Sequence, residues 1–359
     1  MKSIIYIGMD VHSKSYTFCA LEPAFGGNDK IFGTVTVEAD AKNVVKYIGG
    51  LKKKLGEDYE FVCGYEAGCL GYSLYNQLQS YNIPCVILAP STMYANTKRV
   101  KTDTRDAKAI AQCLAYGTYK SVYIPTEEDN SIKEYVRMRD DHKLALKKIK
   151  QQILALCLRN GCHYEGKTNW TAAHLQWLKA LELSALVKET LTEYLLTYVH
   201  LADKIERMDA RIEEIAEQSS YQQKVRRLSC FLGIRTHTAL SLIVETGDFN
   251  RFRKGNTYAA FLGLTPSESS SGEKTNRGSI TKAGNSHLRK LLAESAQSFG
   301  KGKTGFKSKA LKARQAGNDA QVIAYADKAN ERLRRKYYRL VNNGKARNVA
   351  VTAVARELA

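Results

Sequence analysis

Two apolar runs in the N-terminal part of the chain each end on a carboxylate, and this constrains the fold more than any other feature. Ile4-Ile5-Tyr6-Ile7-Gly8-Met9 leads into Asp10, and Phe61-Val62-Cys63-Gly64-Tyr65 leads into Glu66. Such runs read as buried strands. A carboxylate at the end of a buried strand is costly unless something positive meets it. Asp103 and Asp106 lie three residues apart in Lys101-Thr102-Asp103-Thr104-Arg105-Asp106-Ala107, at the start of a helical pattern, and so share one face. Four converging acids repel one another unless divalent cations sit between them. That points to phosphodiester chemistry dependent on Mg2+ or Mn2+, with Asp10, Glu66, Asp103 and Asp106 as ligands.

The order of elements supports the same reading. Residues 3–10, 15–22 and 30–39 read as three consecutive strands, and Ala41 to Leu55 as an amphipathic helix. A strand at 59–66, a helix near 70–81, a strand at Pro84-Cys85-Val86-Ile87-Leu88 and a helix from about 102 to 116 follow. Three strands followed by alternating helix and strand is the order of a ribonuclease-H-like α/β fold. In that fold carboxylates from the first and fourth strands and a late helix meet at one edge. Asp10, Glu66 and the Asp103/Asp106 pair occupy those places.

Beyond this domain (1–127) the composition changes. Residues 128–220 are strongly helical, with apolar residues recurring at three and four and a break from Gly161 to Asn169 between two long helices. This middle domain reads as an antiparallel helical pair or coiled coil for self-association, or as a plain helical spacer. The third domain (221–359) is mainly helical and basic. From Arg251 to Ala359 there are 23 Lys and Arg against 7 Asp and Glu, which places +16 of the chain's net +19 in its last third. Charge this lopsided points to nucleic acid, because phosphate neutralisation supplies most non-specific affinity.

Within that domain, Phe231-Leu232-Gly233-Ile234-Arg235-Thr236 resembles the hairpin of a helix-hairpin-helix, although Arg235 stands where a second glycine is usual. Next come Gly263-Leu264-Thr265-Pro266, a serine run through Ser269-Ser270-Ser271-Gly272, and Ile280-Thr281-Lys282-Ala283-Gly284-Asn285 ahead of a helix. Glycine and serine give an adaptable backbone rich in N–H donors. With Lys274, Arg277, Lys282, Asn285 and Arg289 they form a candidate phosphate-gripping loop. Lys301, Lys303, Lys307 and Lys309, then Arg334 and Arg335 beside Tyr337 and Tyr338, read as backbone-tracking contacts. The two tyrosines either stack on nucleotides or pack.

No apolar stretch reaches the length of a membrane span, and Met1-Lys2-Ser3 leads straight into a strand without the architecture of a signal peptide. The eight cysteines form no C-x-x-C pair and read as reduced core residues of a cytoplasmic protein. Cys157, Cys162 and His163 have poor spacing for a zinc site and lack an evident fourth ligand.

Taken in order, these motifs make the chain similar to the transposases of insertion sequence family 110, relatives of the Piv DNA invertase. The matching residues are Gly8-Met9-Asp10-Val11-His12-Ser13, Tyr65-Glu66-Ala67-Gly68, Lys101-Thr102-Asp103 with Asp106-Ala107, and Gly263-Leu264-Thr265-Pro266. Ser270-Ser271-Gly272 and Ile280-Thr281-Lys282-Ala283-Gly284-Asn285 with Leu288-Arg289 complete the set. The resemblance implies a RuvC-like N-terminal domain joined to a C-terminal transposase domain, with four acids holding divalent metal. It implies Ser271 as the nucleophile, forming a phosphoserine link to DNA, with Lys274, Arg277 and Lys282 stabilising charge on the phosphate. It also implies a structured non-coding RNA that bridges target and donor DNA by base pairing. Cutting and rejoining four strands calls for several protomers, a dimer or tetramer. Two other readings remain at this point: a structure-selective nuclease or junction resolvase whose acids activate water, and an inert nucleic-acid-binding protein.

Overall fold

The structure is a computed structural model of the 359-residue chain and describes residues 3–24, 26, 28–56, 58–68, 70–90, 102–269 and 276–359. The chain divides into two compact units, Met1–Ile124 and Pro125–Ala359.

The first unit is built on a five-stranded sheet of β1 (Ser3–Val11), β2 (Ser15–Glu22), β3 (Lys30–Glu38), β4 (Tyr59–Glu66) and β5 (Cys85–Leu88), in the order β3-β2-β1-β4-β5. β1, β2 and β3 pair antiparallel, whereas β4 runs parallel to β1 and β5 parallel to β4. Alternation along the strands sorts their side chains onto two faces. Ile5, Ile7 and Met9 of β1 and Phe61, Cys63 and Tyr65 of β4 face one side. There they pack with Val44, Ile48 and Leu51 of α1 (Ala41–Leu55) and Leu74 and Leu78 of α2 (Ser73–Ser80). α1 starts where Asp40 accepts the Lys42 amide and ends on three lysines ahead of Gly56, which suits both ends of its dipole. The opposite face is covered by α3 (Asp103–Tyr116), whose Ile110, Cys113 and Leu114 pack with Tyr6, Val86 and Leu88. The result is three layers, helix on sheet on helix.

The second unit opens with α4 (Glu127–Arg159), capped by Thr126 accepting the Asp129 amide above an acidic first turn. α5 (Ala172–Ala180) and α6 (Ala185–Ala216) follow. Early α4 residues Ile132 and Val136 share a core with late α6 residues Ile212 and Ile215. Ile153, Leu156 and Cys157, late in α4, meet Leu191 and Leu195 early in α6. The two long helices are therefore antiparallel. The turnaround is more than the expected break at 161–169, because α5 is inserted there and packs Leu178 into the distal core.

The proximal ends of α4 and α6 sink into the unit's main core. It is shared with α7 (Gln222–Leu228), α8 (Thr236–Thr246), α9 (Gly255–Phe261), α10 (Ser286–Ala296), α12 (Ala320–Asn342) and α13 (Arg347–Leu358). α11 (Lys309–Gln315) and a two-stranded hairpin of β6 (Pro266–Glu268) and β7 (Arg277–Ile280) complete the unit. Among the described residues no helix is long and apolar enough to cross a membrane. Cys19, Cys63, Cys85, Cys113, Cys157 and Cys230 are buried and unpaired, as core cysteines, and Cys162 is half-buried and also free.

Candidate metal centre and nucleic-acid interface

The acidic cluster is assembled by close packing of α3 on β1. Gly8 lies two residues before Asp10 and faces the same side of the sheet. A Cβ built on Gly8 would sit 2.1 Å from the Ala107 carbonyl oxygen and 2.3 Å from the Ala111 nitrogen, so only glycine lets the helix backbone come this near. Its registered neighbour on β4 is Gly64, and the facing residues Ala107 and Ala111 are small and fully buried. With α3 pressed onto this glycine pair, its first turn, carrying Asp103 and Asp106, lies at the end of β1. Glu66 closes β4 one step beyond the registered pair Met9–Tyr65, and so ends the strand beside Asp10.

Asp10 is half-buried while Glu66 and Asp103 are exposed. One oxygen each from Asp10 and Asp103 and one ring nitrogen of His12 all lie within 4.8 Å of one another. The His12 Nε2 atom is 3.3 Å from Asp10 Oδ2 and 4.0 Å from Asp103 Oδ1. Burial raises the Asp10 pKa, the negative charges of Asp103 and Asp106 raise it further, and His12 opposes them. A half-buried carboxylate with other carboxylates beside it is a site short of positive charge. The donor set is mostly hard oxygen, so Asp10, Asp103, Asp106 and Glu66 suit a divalent cation such as Mg2+ or Mn2+. Three of the four expected acids are thus drawn into one electrostatic cluster, with Glu66 on the adjoining strand end. The sequence motifs do not single out His12 as a site residue, although it follows Asp10 by two residues, just past the end of β1.

In sequence the serine run falls between β6 and β7. Ser269 donates its amide to the Asn276 carbonyl at 2.9 Å, which pins the two ends of the connection together. Ser270, Ser271 and Lys274 lie outside the described residues, as does the side chain of Arg277. After β7, Gly284 (φ +112°) passes so close to Phe261 that a Cβ would stand 2.1 Å from its carbonyl oxygen. The segment Thr281–Asn285 is thereby held against the end of α9, and Lys282 stays exposed on it. A groove of about 930 Å³ flanks the hairpin, lined among others by Lys254, Asn256, Ser279, Thr352 and Arg356.

Several expected phosphate contacts are instead committed to the protein. Asn285 caps α10 by accepting the Leu288 amide at 3.0 Å, and donates to Glu245 at 2.6 Å. Arg289 donates to the Leu262 carbonyl at 2.8 Å. Arg334 is buried and donates to the carbonyls of Lys303 and Phe306, fastening the 303–306 loop. Lys307 pairs with Asp327 at 2.5 Å, whereas Arg335, paired with Glu331 on the surface of its helix, keeps most of its side chain exposed. Lys301, Lys303 and Lys309 are exposed. Tyr337 is a core residue and Tyr338 donates to the Gly302 carbonyl, so packing accounts for both. In the 231–236 hairpin, the Leu232 amide is taken by Asn330 Oδ1 at 2.8 Å, so it is turned inward and not toward a phosphate.

A buried polar network that the sequence does not reveal joins α4, α8 and α10. His287 Nδ1 lies 2.5 Å from Glu245 Oε1, and its Nε2 lies 2.9 Å from Asp140 Oδ2. Burial opposes a charged imidazole, but hydrogen bonds to Asp140 and Glu245 override it and raise the His287 pKa to about 9. Burial likewise acts against Glu245, yet His287, Arg137 and Asn285 bring it down to about 2. Asp140 is held well below the usual carboxylate range by His287 and Arg139 despite its burial. His237 Nε2 stands 3.3 Å from Asp140, and burial lowers its pKa, so His287 is the charged imidazole of the pair. A lone glutamate in the apolar stretch Ala239–Thr246 is the one sequence signal for this network.

Residues 7–160 match a DEDD transposase domain of the IS110 type, a class that implies a ribonuclease-H-like fold and a divalent metal. Residues 225–307 match the transposase IS116/IS110/IS902 family. The transposase for insertion sequence element IS1533 of Leptospira borgpetersenii is 32% identical over 346 residues, spanning 95% of this chain and 97% of that protein. A putative transposase, y4qE, of Sinorhizobium fredii is 32% identical over 99% of this chain and 86% of its own length. The transposase for IS1111A of Coxiella burnetii is 25% identical over 91% of this chain and 88% of its own. Strand order, acidic cluster and full-length similarity agree, and the chain belongs to the IS116/IS110/IS902 family of insertion-sequence transposases.

Proposed function

We propose that this transposase cuts and rejoins DNA with two groups of residues, the acids of the first unit and a serine of the second. The convergence of Asp10, Asp103 and His12, beside Asp106 and Glu66, carries the reading. Asp10, Glu66, Asp103 and Asp106 would hold a divalent cation, which would supply Lewis-acid charge at the scissile phosphate. Asp10, half-buried on the sheet, fixes that position, and α3 presents Asp103 and Asp106 to it. Ser271 attacks phosphorus, forming the Oγ–P bond as the bond to the leaving DNA oxygen breaks, and gives up its proton to a base. The phosphoserine link conserves the bond energy for rejoining to a second DNA end. The pinned ends of the β6–β7 connection and the resemblance to the family support Ser271 in this role, while the exposed Lys282 lies at the other end of the hairpin, beside Gly263. Lys274 and Arg277 are proposed as phosphate contacts on the same connection.

The +16 charge over residues 251–359 supports a polyanionic partner, and a non-coding RNA bridging donor and target DNA is part of the proposal. Exposed Leu144, Leu186, Leu196 and Val199 on α4 and α6 support self-association of the helical pair as a dimer or tetramer. The division into 1–127, 128–220 and 221–359 is retained as a functional one: cutting, self-association, and strand handling. The setting proposed is the prokaryotic cytoplasm, at the nucleoid.

A second reading is favoured by the DEDD match itself: the acids activate water and Ser271 only binds phosphate. Incubation with the element's DNA, its RNA and Mg2+, followed by denaturation and peptide mapping by mass spectrometry, separates the two. A DNA adduct on Ser271, lost in Ser271→Ala, is the expected result. Cleaved ends with no adduct establish water as the nucleophile, and an adduct on Ser270 moves the assignment by one residue.

A further inference from the structure

We propose that His12 is a ligand of the metal site, so that the site pairs one imidazole nitrogen with its carboxylates. This rests on the acidic cluster being a metal site and adds to it a donor that the four-acid motif does not contain.

The geometry is that of ligands around a single ion. Donors about 2.1 Å from a cation stand about 3.0 Å apart when adjacent and about 4.2 Å apart when opposite in an octahedral set. His12 Nε2 is 3.3 Å from Asp10 Oδ2 and 4.0 Å from Asp103 Oδ1, both inside that range. The chain brings the imidazole there by construction. His12 follows Asp10 by two residues, just past the end of β1, and its ring nitrogen reaches the Asp10 carboxylate. Its amide donates to the Ser15 carbonyl at 2.9 Å, closing the β1–β2 turn and fixing the backbone from which the ring projects. The ring is more than half exposed and its ionic partners are the two aspartates. It is therefore not a packing residue.

An imidazole donor has a chemical consequence. Nitrogen favours later first-row metals over Mg2+, so the site should prefer Mn2+ to Mg2+ by more than a carboxylate-only site would. The cation expected is thus Mn2+ at low concentration, with Mg2+ an alternative when abundant.

The test uses the full-length protein and Mn2+ alone, with binding measured by calorimetry and the ligand nitrogen detected by pulsed electron paramagnetic resonance. Wild-type protein should bind Mn2+ and show the 14N modulation of a directly ligated imidazole. His12→Gln should still bind, about tenfold or more weakly, with the modulation gone and the Mn2+-over-Mg2+ preference reduced. Asp10→Asn should lose the site. Mn2+ bound in an Asp10-dependent way without nitrogen modulation overturns the role of His12 and leaves the acidic site standing. Modulation that persists in His12→Gln overturns that role in the same way. Uptake that Asp10→Asn does not change, or no uptake by the wild type at millimolar Mn2+, overturns the acidic metal site as well.

Discussion

A single imidazole, His287, holds two buried carboxylates together across three helices, and its protonation ties the second unit's stability to pH. Its pKa is raised to about 9, so its contribution is complete below about 6.5, the unfolded value, and is lost as pH climbs through 9. Glu245, lowered to about 2, behaves in the opposite sense: its contribution is complete above about 4.5 and disappears on acidification toward 2. Stability is therefore greatest between about pH 4.5 and 6.5 for this network. His287→Gln leaves Asp140 and Glu245 with Arg139 and Arg137 but without their shared cation, and should cost on the order of 3 kcal/mol at pH 6. Urea unfolding from pH 6 to 9.5 checks this: the wild type should lose stability over that range and the variant should not. Equal slopes in the two proteins would contradict the assignment. Beyond Glu245 in its apolar stretch, this network was not legible in the sequence, because Asp140, Glu245 and His287 come from distant points along the chain. By contrast Asp10 and Glu66 were legible one by one, since each interrupts an apolar run.

At the scale of elements, the β1–α3 contact turns a sequence pattern into a site. The strands and helices of the first unit lie where hydrophobic alternation and periodicity place them, and α1 and β4 match their expected limits, Ala41–Leu55 and Tyr59–Glu66. The closeness of α3 to the sheet was not readable, because a glycine in a strand states a vacancy without naming what fills it. Gly8→Ala puts a Cβ against backbone atoms of Ala107 and Ala111, which cannot rotate away as a side chain can. The helix must shift, carrying Asp103 and Asp106 from Asp10. The expected outcome is a loss of about 1–3 kcal/mol in the first unit, with weaker Mn2+ binding, read by thermal unfolding and calorimetry. Wild-type values for both would show that α3 has room to spare. α5 is hidden in the sequence for a related reason. It is a nine-residue helix whose place is set by partners elsewhere in the chain, with Leu178 reaching late α4 and early α6.

For the whole molecule, charge and chemistry fall in different units: the acidic cluster belongs to the first, and the basic surplus to the end of the second. The basic tail is not a detachable arm. Leu333, Tyr337, Ala350 and Val354 belong to the same core as Leu240 and Leu292, so deleting residues after Gly300 would unfold the unit along with removing its lysines. That integration was hidden in the sequence, where the charge of residues 301–359 dominates and the apolar stripe inside it is easily overlooked. A point substitution in the other unit separates binding from cutting more cleanly. Asp10→Asn removes one charge from the acidic cluster and leaves the basic surface intact. The decisive measurement is strand cleavage of the element's end by Asp10→Asn protein, alongside its DNA affinity across a salt series. Affinity and salt slope should equal those of the wild type, with cleavage down by about a thousandfold or more, the several kcal/mol a metal site supplies. Cleavage at the wild-type rate would contradict the metal-site assignment, because the cluster at the end of β1 would then have no part in the reaction.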